Sequence, residues 1–325
     1  MTTEPLYGEY LIRDIASERV FRGGYIGVEF FFIVSGYFLA RSIEKGEIKT
    51  KSYLQSRLKR LYPHYILSIT LMAVIVGYQY LDWQLLSQTY FEHVIMIQNM
   101  VSCNLYLNGP LWYVTYLIII GTMIFAVERN LGGKQYRKYM MCIVIIYYLY
   151  SFLFCGCADI SNKILFLPEG FYRGVADISI GMFCYDVSLY LPDRVTKKHL
   201  LWIVPLMLLE ILLNTVCPKS RWDYLCVVIF AISITLTSKM QFGEMKAVKF
   251  LSEHTYSIYC YQVFTFYVLE RVYEKFHVWS FTAQWIRAVV VMGTCFGMGV
   301  MFDYIILFIR KVYRMVRGND KSFLV

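Results

Sequence analysis

The chain has 325 residues, of which 58% are hydrophobic and 18% aromatic, and it carries a formal net charge of +9. A mean hydropathy of +0.48 and an apolar content above the ~45–50% of soluble domains exclude an ordinary water-soluble globule and point to an integral membrane protein. In such a chain a basic excess marks cytoplasmic loops rather than a nucleic-acid surface. The lipid bilayer is therefore the expected partner, and nucleic acid is not.

Residues 1–22 are polar and charged, without the apolar core of a signal peptide. Nine apolar segments follow: Gly24–Ala40, Tyr65–Leu81, Leu111–Val127, Tyr139–Cys155, Phe171–Leu191, Leu200–Val216, Trp222–Ser238, Phe250–Glu270 and Trp285–Ile309. Each is long enough to cross, or nearly cross, about 30 Å of hydrocarbon. The expected fold is all-α, a polytopic transmembrane helix bundle of about nine spans. The fifth segment is interrupted by Arg173, Asp177 and Asp186. The connection 82–110 is the longest polar one, and Phe91–Met100 within it reads as an amphipathic stretch on the outer surface.

Cations alternate between loops. There are seven in 41–60, four in 128–138, three each in 192–199 and 239–249, and five in 310–325, against none in 82–110 and one in 156–170. The positive-inside rule makes the rich loops and the C-terminus cytoplasmic. It leaves residues 1–22, with Arg13, Arg19 and Arg22, outside, as though a helix were missing upstream. The chain divides into a polar tail (1–22), a transmembrane domain (23–310) and a basic cytoplasmic tail (311–325). No internal repeat is visible, which argues against transporter folds built from two related halves.

Nine cysteines are present. Cys142, Cys184, Cys226, Cys260 and Cys295 fall in apolar runs, and only Cys155 and Cys157 lie close together, with no second pair at ligand spacing. Buried free thiols are expected, and no metal.

The chemistry gathers between Gly23 and Tyr65. Glu29 lies inside the first apolar run, where an ionised carboxylate costs several kcal/mol unless it is paired. Arg57 and Arg60 share a helical face beside the bilayer, and Pro63 closes that segment before the next run. Asp177, Glu210 and Asp303 are further intramembrane acids for which Arg173 and Arg287 are available. Trp112, at the start of a span, reads as an interfacial anchor.

Four blocks carry a resemblance. Gly24, Gly27, Val28, Phe31, Phe32, Ser35 and Gly36 form a G-x-x-G-V-x-x-F-F-x-x-S-G pattern similar to the second transmembrane helix of acyltransferase family 3. Arg57, Arg60 and Pro63 resemble the arginine motif that follows it. Asn108, Pro110, Leu111 and Trp112 look like the family's Pro-Leu-Trp segment. Tyr256, Ser257, Ile258 and Tyr259 resemble its Ser-Tyr-x-Ile-Tyr helix, with Gln262 where the family often has histidine. Some relatives carry an acid where this chain has Leu117.

The resemblance implies a bacterial-type, multi-pass enzyme of the plasma (inner) membrane, usually of ten spans. Such an enzyme moves an acyl group, often acetyl, from acyl-CoA to a hydroxyl of a cell-surface polysaccharide or similar glycan. Acyl-CoA is then a donor substrate rather than a resident cofactor, and its phosphates suit the planar forks of Arg57 and Arg60.

The family's base, a histidine in a helix preceding the glycine-rich one, has no counterpart here. His64 reads as structural, and His254 is the fallback because it shares a membrane face with Arg57 and Arg60. His93 lies in an outer loop, and His199 and His277 have no evident partner. Two other readings stay open: an inactive or truncated relative that binds a glycan or a partner, and a transporter or flippase with intramembrane charges along its path.

Overall fold

A computed structural model describes residues 24–46, 49–79, 82–98, 100, 107–131, 134–156, 163–164, 167–192, 197–217, 219–239, 246–276 and 284–316. Within these residues the chain is a helical bundle. Its elements are α1 (Gly27–Glu44), α2 (Thr50–Gln79), α3 (Trp83–Val94), α4 (Trp112–Leu131), α5 (Lys134–Tyr150), α6 (Glu169–Ser188), α7 (Lys197–Val216), α8 (Trp222–Thr237), α9 (Lys246–Phe276) and α10 (Gln284–Val316). A π turn, Ser151–Cys155, extends α5, and the two-residue strands β1 (Lys163–Ile164) and β2 (Leu167–Pro168) pair antiparallel ahead of α6. Each of the nine apolar segments forms one long helix, and α3 is additional.

Five helices are long and apolar enough to cross a membrane by length and composition: Gly24–Glu44, Thr50–Tyr78, Gly109–Asn130, Gln135–Cys155 and Ile286–Val316. Helix α6 carries Arg173, Asp177 and Asp186 within its length. Among the described residues, α7 and α8 contribute the further apolar stretches Ile203–Leu213 and Trp222–Thr237. Outward-facing side chains such as Leu208, Ile211 and Leu212 on α7, and Leu307 and Phe308 on α10, are exposed and apolar, as a lipid-facing surface requires.

Helix α1 crosses α6 at backbone contact. A Cβ at Gly36 would lie 2.0 Å from the Ile178 carbonyl oxygen, and one at Gly181 would lie 1.9 Å from that of Ile33. Small residues allow this approach, which is the usual source of helix association in lipid. Gly299 does the same for α10 against Ile258 of α9. At its far end α1 stops at Gly46, whose φ of +71° is the left-handed termination that glycine adopts without steric cost.

Two expectations need correction. Pro63 does not close a segment. It lies inside α2, a single helix of 30 residues, about 45 Å long, so that the cation-bearing end projects beyond the hydrocarbon. The amphipathic stretch expected at Phe91–Met100 is also placed differently, because its helix starts earlier and packs along α2. Asp82 caps α3 by accepting from the Leu85 amide at 3.0 Å, and α3 then runs antiparallel down the flank of α2. Trp83 and Leu86 meet Gly77, Thr70 Oγ1 meets Tyr90 OH at 3.0 Å, Tyr65 OH donates to the His93 carbonyl at 2.9 Å, and Tyr62 OH donates to that of Val94 at 3.0 Å. The helix folds back along α2. Its exposed N-terminal end and buried tip account for a segment too polar to read as a span.

Candidate active site

The proline inside α2 organises the site. Without an N–H, Pro63 cannot bond the Lys59 carbonyl four residues back. That oxygen instead accepts from Arg310 Nη2 of α10 at 2.9 Å. Arg310 thereby joins Ser52, Gln55, Ser56, Lys59 and Arg60 in lining an open cavity of about 560 Å³. Three cations and three neutral hydrogen-bonding side chains form its wall. Arg60 is exposed and lines it, whereas Arg57 is half-buried with its guanidinium 5.2 Å from the Tyr53 ring centroid. Tyr53 in turn stacks on Phe125 at 4.4 Å.

One turn deeper lies a cluster missing from the sequence expectations. Asp303 of α10 faces neither Arg173 nor Arg287. Its carboxylate receives His64 Nε2 at 3.0 Å, His254 Nδ1, and Ser257 Oγ at 2.6 Å. His64 is used at both nitrogens, since Nδ1 meets Tyr261 OH at 3.4 Å. The His254 ring is flanked by Phe250 and Tyr304, which are 41% and 59% exposed on the outside of the bundle. His64 on α2, His254 on α9 and Asp303 on α10 thus clasp three helices just below the cavity. The Ser-Tyr-x-Ile-Tyr block extends the clasp. Tyr256 OH donates to the Leu61 carbonyl at 2.9 Å, Tyr259 OH donates to that of Pro110, and Gln262 is half-buried.

Glu29 pairs with Arg173, both buried, and the Arg173 guanidinium lies 5.5 Å from the Trp112 ring centroid. Trp112 is therefore not an interfacial anchor. It is 8% exposed and packs between Phe32 and Arg173, where the π face supports a desolvated cation. Asp177 accepts from Tyr148 OH, and Arg137 holds both Glu128 and Asp186. Ser35 is half-buried beside Gly36. Leu117 is buried in the main core. Among the described residues no group of three His, Cys, Asp or Glu side chains is placed to hold a metal, and the described cysteines are free. The side chain of His199, and Cys157 and His277, lie outside the described residues.

A second polar group surrounds the buried tip of α3. His93 is 1% exposed and its Nδ1 donates to the Thr89 carbonyl at 2.8 Å. Burial holds its imidazole below the ordinary 6.5, so at neutral pH the ring is uncharged and Nε2 bears a lone pair. Gln98 Nε2 donates to Tyr65 OH at 3.0 Å and to Thr115 Oγ1 at 2.9 Å, and Asn108 Nδ2 donates to the Cys260 carbonyl at 3.0 Å. Of these, Asn108 drew notice only through its motif and Gln98 not at all, and the position of His93 in a polar connection concealed its burial. The signal available was Asp82, a helix cap preceding an amphipathic run.

The chain matches the acyltransferase family 3 model, an acyltransferase domain, over residues 4–303. It belongs to acyltransferase family 3. The match covers most of the chain and includes the cationic cavity's Arg60, the His64–Asp303–His254 clasp and the α3 tip. No curated protein matches the chain, and no solved structure does. Membership of acyltransferase family 3 makes the protein a multi-pass membrane acyltransferase in general terms.

Proposed function

We propose that this acyltransferase takes its acyl group, acetyl in the simplest case, from acyl-CoA and delivers it to a hydroxyl of a cell-surface polysaccharide or similar glycan. The carrying observation is the cavity at the cation-bearing end of α2, where Lys59, Arg60 and Arg310 converge. A coenzyme A donor brings several phosphates, and guanidinium groups hold phosphate through paired, charge-assisted bonds. Arg57, held over Tyr53 on the neighbouring turn, completes the basic face. The loop bearing these residues is the most cationic of the chain and belongs in the cytoplasm, where acyl-CoA is made. The protein then resides in the plasma (inner) membrane with its C-terminus inside, and its partners are the bilayer and the glycan.

Titration of the purified chain with acetyl-CoA tests this reading. Charge-assisted bonds of this kind contribute about 1.5–3 kcal/mol each, so Arg60→Ala and Arg57→Ala should each weaken binding by about tenfold or more. Lys45→Ala and Lys49→Ala, which lie outside the cavity, should change little. Equal small losses at all four positions would reduce the loop to an orientation signal.

A further inference from the structure

Three buried acceptors, two at and just beyond the tip of α3 and one just ahead of α4, have no donor among the described residues. They are His93 Nε2, Gln98 Oε1 and Asn108 Oδ1, on residues 1%, 2% and 2% exposed. Their orientations are fixed by neighbours. The Thr89 carbonyl can only accept, so His93 Nδ1 carries the proton and Nε2 does not. Tyr65 spends its single hydroxyl proton on the His93 carbonyl and must accept from Gln98 Nε2, which directs Gln98 Oε1 elsewhere. The Cys260 carbonyl likewise fixes the Asn108 amide. Buried polar groups are almost always satisfied, and each exception calls for an explanation. These three are all acceptors, so a ligand that satisfied them would bring O–H or N–H donors.

The backbone beside His93 is itself unusual. The chain turns at Met96 with φ of 60°, where glycine is the usual residue. The turn is closed by bonds from Met96 N to the His93 carbonyl and from Ile97 N to that of Glu92. A non-glycine residue held left-handed marks a turn over-determined by its surroundings, and such strain concentrates at functional sites.

We propose that His93, Gln98 and Asn108 form the acceptor subsite for a hydroxyl-bearing sugar, with His93 Nε2 as the base. This rests on the acyl-transfer reading above. The sugar hydroxyl donates to Nε2, and Gln98 Oε1 and Asn108 Oδ1 take neighbouring hydroxyls. As the hydroxyl oxygen attacks the thioester carbonyl carbon, its proton passes to Nε2. The C–S bond breaks, the thiolate leaves, and the proton on Nε2 returns to the sulfur. The products are the sugar ester and free CoA. The other histidines of the membrane region suit this role less well, because His64 is engaged at both nitrogens and His254 lies against rings on the outer surface. The register is also right. Tyr65, which holds the His93 carbonyl, stands five residues deeper on α2 than Arg60, about 7.5 Å along the axis, in the direction that the pantetheine arm of a donor anchored at Arg60 must extend.

The full chain in lipid nanodiscs is treated with diethyl pyrocarbonate at neutral pH, and the modification of each histidine is followed by peptide mass spectrometry. His93 is expected to be carbethoxylated, several-fold more slowly with saturating methyl α-glucoside and at an unchanged rate with betaine, which lacks hydroxyls. An unreactive His93, or equal slowing by both solutes, overturns the subsite. His93→Gln is expected to retain acetyl-CoA binding and to lower glucoside-dependent CoA release by about 10²–10⁴-fold, the usual worth of a positioned base. Undiminished release in that variant overturns the base. If the wild-type chain fails to bind acetyl-CoA, the donor reading falls while the protection experiment still decides the sugar subsite.

Discussion

Glu29 and Arg173 show what a single intramembrane charge demands. Both are buried, one on α1 and one on α6, and each answers the other beneath Trp112. Removing one partner leaves a bare charge in a dry interior, a loss of about 3–5 kcal/mol, whereas replacing both by apolar residues is often neutral. Glu29→Gln should therefore lower the thermal unfolding temperature in detergent sharply, and the double change Glu29→Leu with Arg173→Leu should recover much of it. His93 gives a pH-dependent counterpart. Burial first, opposed by the Thr89 carbonyl and Glu92, lowers its folded pKa from 6.5; Tyr65 also faces this tip. Above 6.5 both folded and unfolded chains hold it neutral, so it imposes no penalty. As pH falls below 6.5 the unfolded chain takes the proton first, and stability declines. His93→Gln should flatten that acid limb relative to the wild type in unfolding scans between pH 7 and 5.

Among the elements, α2 departs most from its sequence pattern, and the reason is Pro63. An interior proline costs a helix about 3 kcal/mol relative to alanine, and the residues before it are ordinarily read as a helix end. The proline is tolerated because Arg310 occupies the freed Lys59 carbonyl, a partner 251 positions away that no local pattern reveals. Pro63→Ala should therefore stabilise the fold while loosening Arg310. Measured together, a higher unfolding temperature and weaker acetyl-CoA binding would bear this out, and unchanged binding would detach Arg310 from the donor. The glycine-rich block divides in the same way. Gly24 and Gly27 have open space among the described residues, and only Gly36 is forced by backbone contact. Gly36→Leu should impair folding, and Gly27→Ala should not. The apolar helices were legible because length and composition alone define them. Helix α3 was not, because its polar and buried faces average to a loop, and its docking is set by tyrosines of α2 and their partners. Arg60 of the cavity and its neighbour Arg57 were legible from spacing, whereas Arg310, Asp303 and the three buried hydrogen-bond acceptors depend on contacts between distant helices.

At the scale of the whole molecule, the donor and acceptor proposals together imply which way the bundle faces. If Arg60 and Arg310 meet cytoplasmic acyl-CoA, the loops 41–60, 128–138, 192–199, 239–249 and 310–325 lie inside, in agreement with the alternation of cations. The connection 82–110 then begins outside, and α3 descends from that face with His93 at its lower end. Donor and acceptor would enter from opposite sides and meet within the bundle, so that the acyl group crosses the membrane without passage of the glycan. Both faces can be mapped on one chain. A reporter active only in the cytoplasm should function when fused at Lys134 or after Val316, and one active only outside should function when inserted near Asp82. Labelling of a cysteine at Trp83 by a membrane-impermeant maleimide should succeed in intact cells, and labelling at Gln55 only after permeabilisation. An external signal at Lys134 would invert the map and place the arginine cavity out of reach of cytoplasmic acyl-CoA, removing the donor reading along with it.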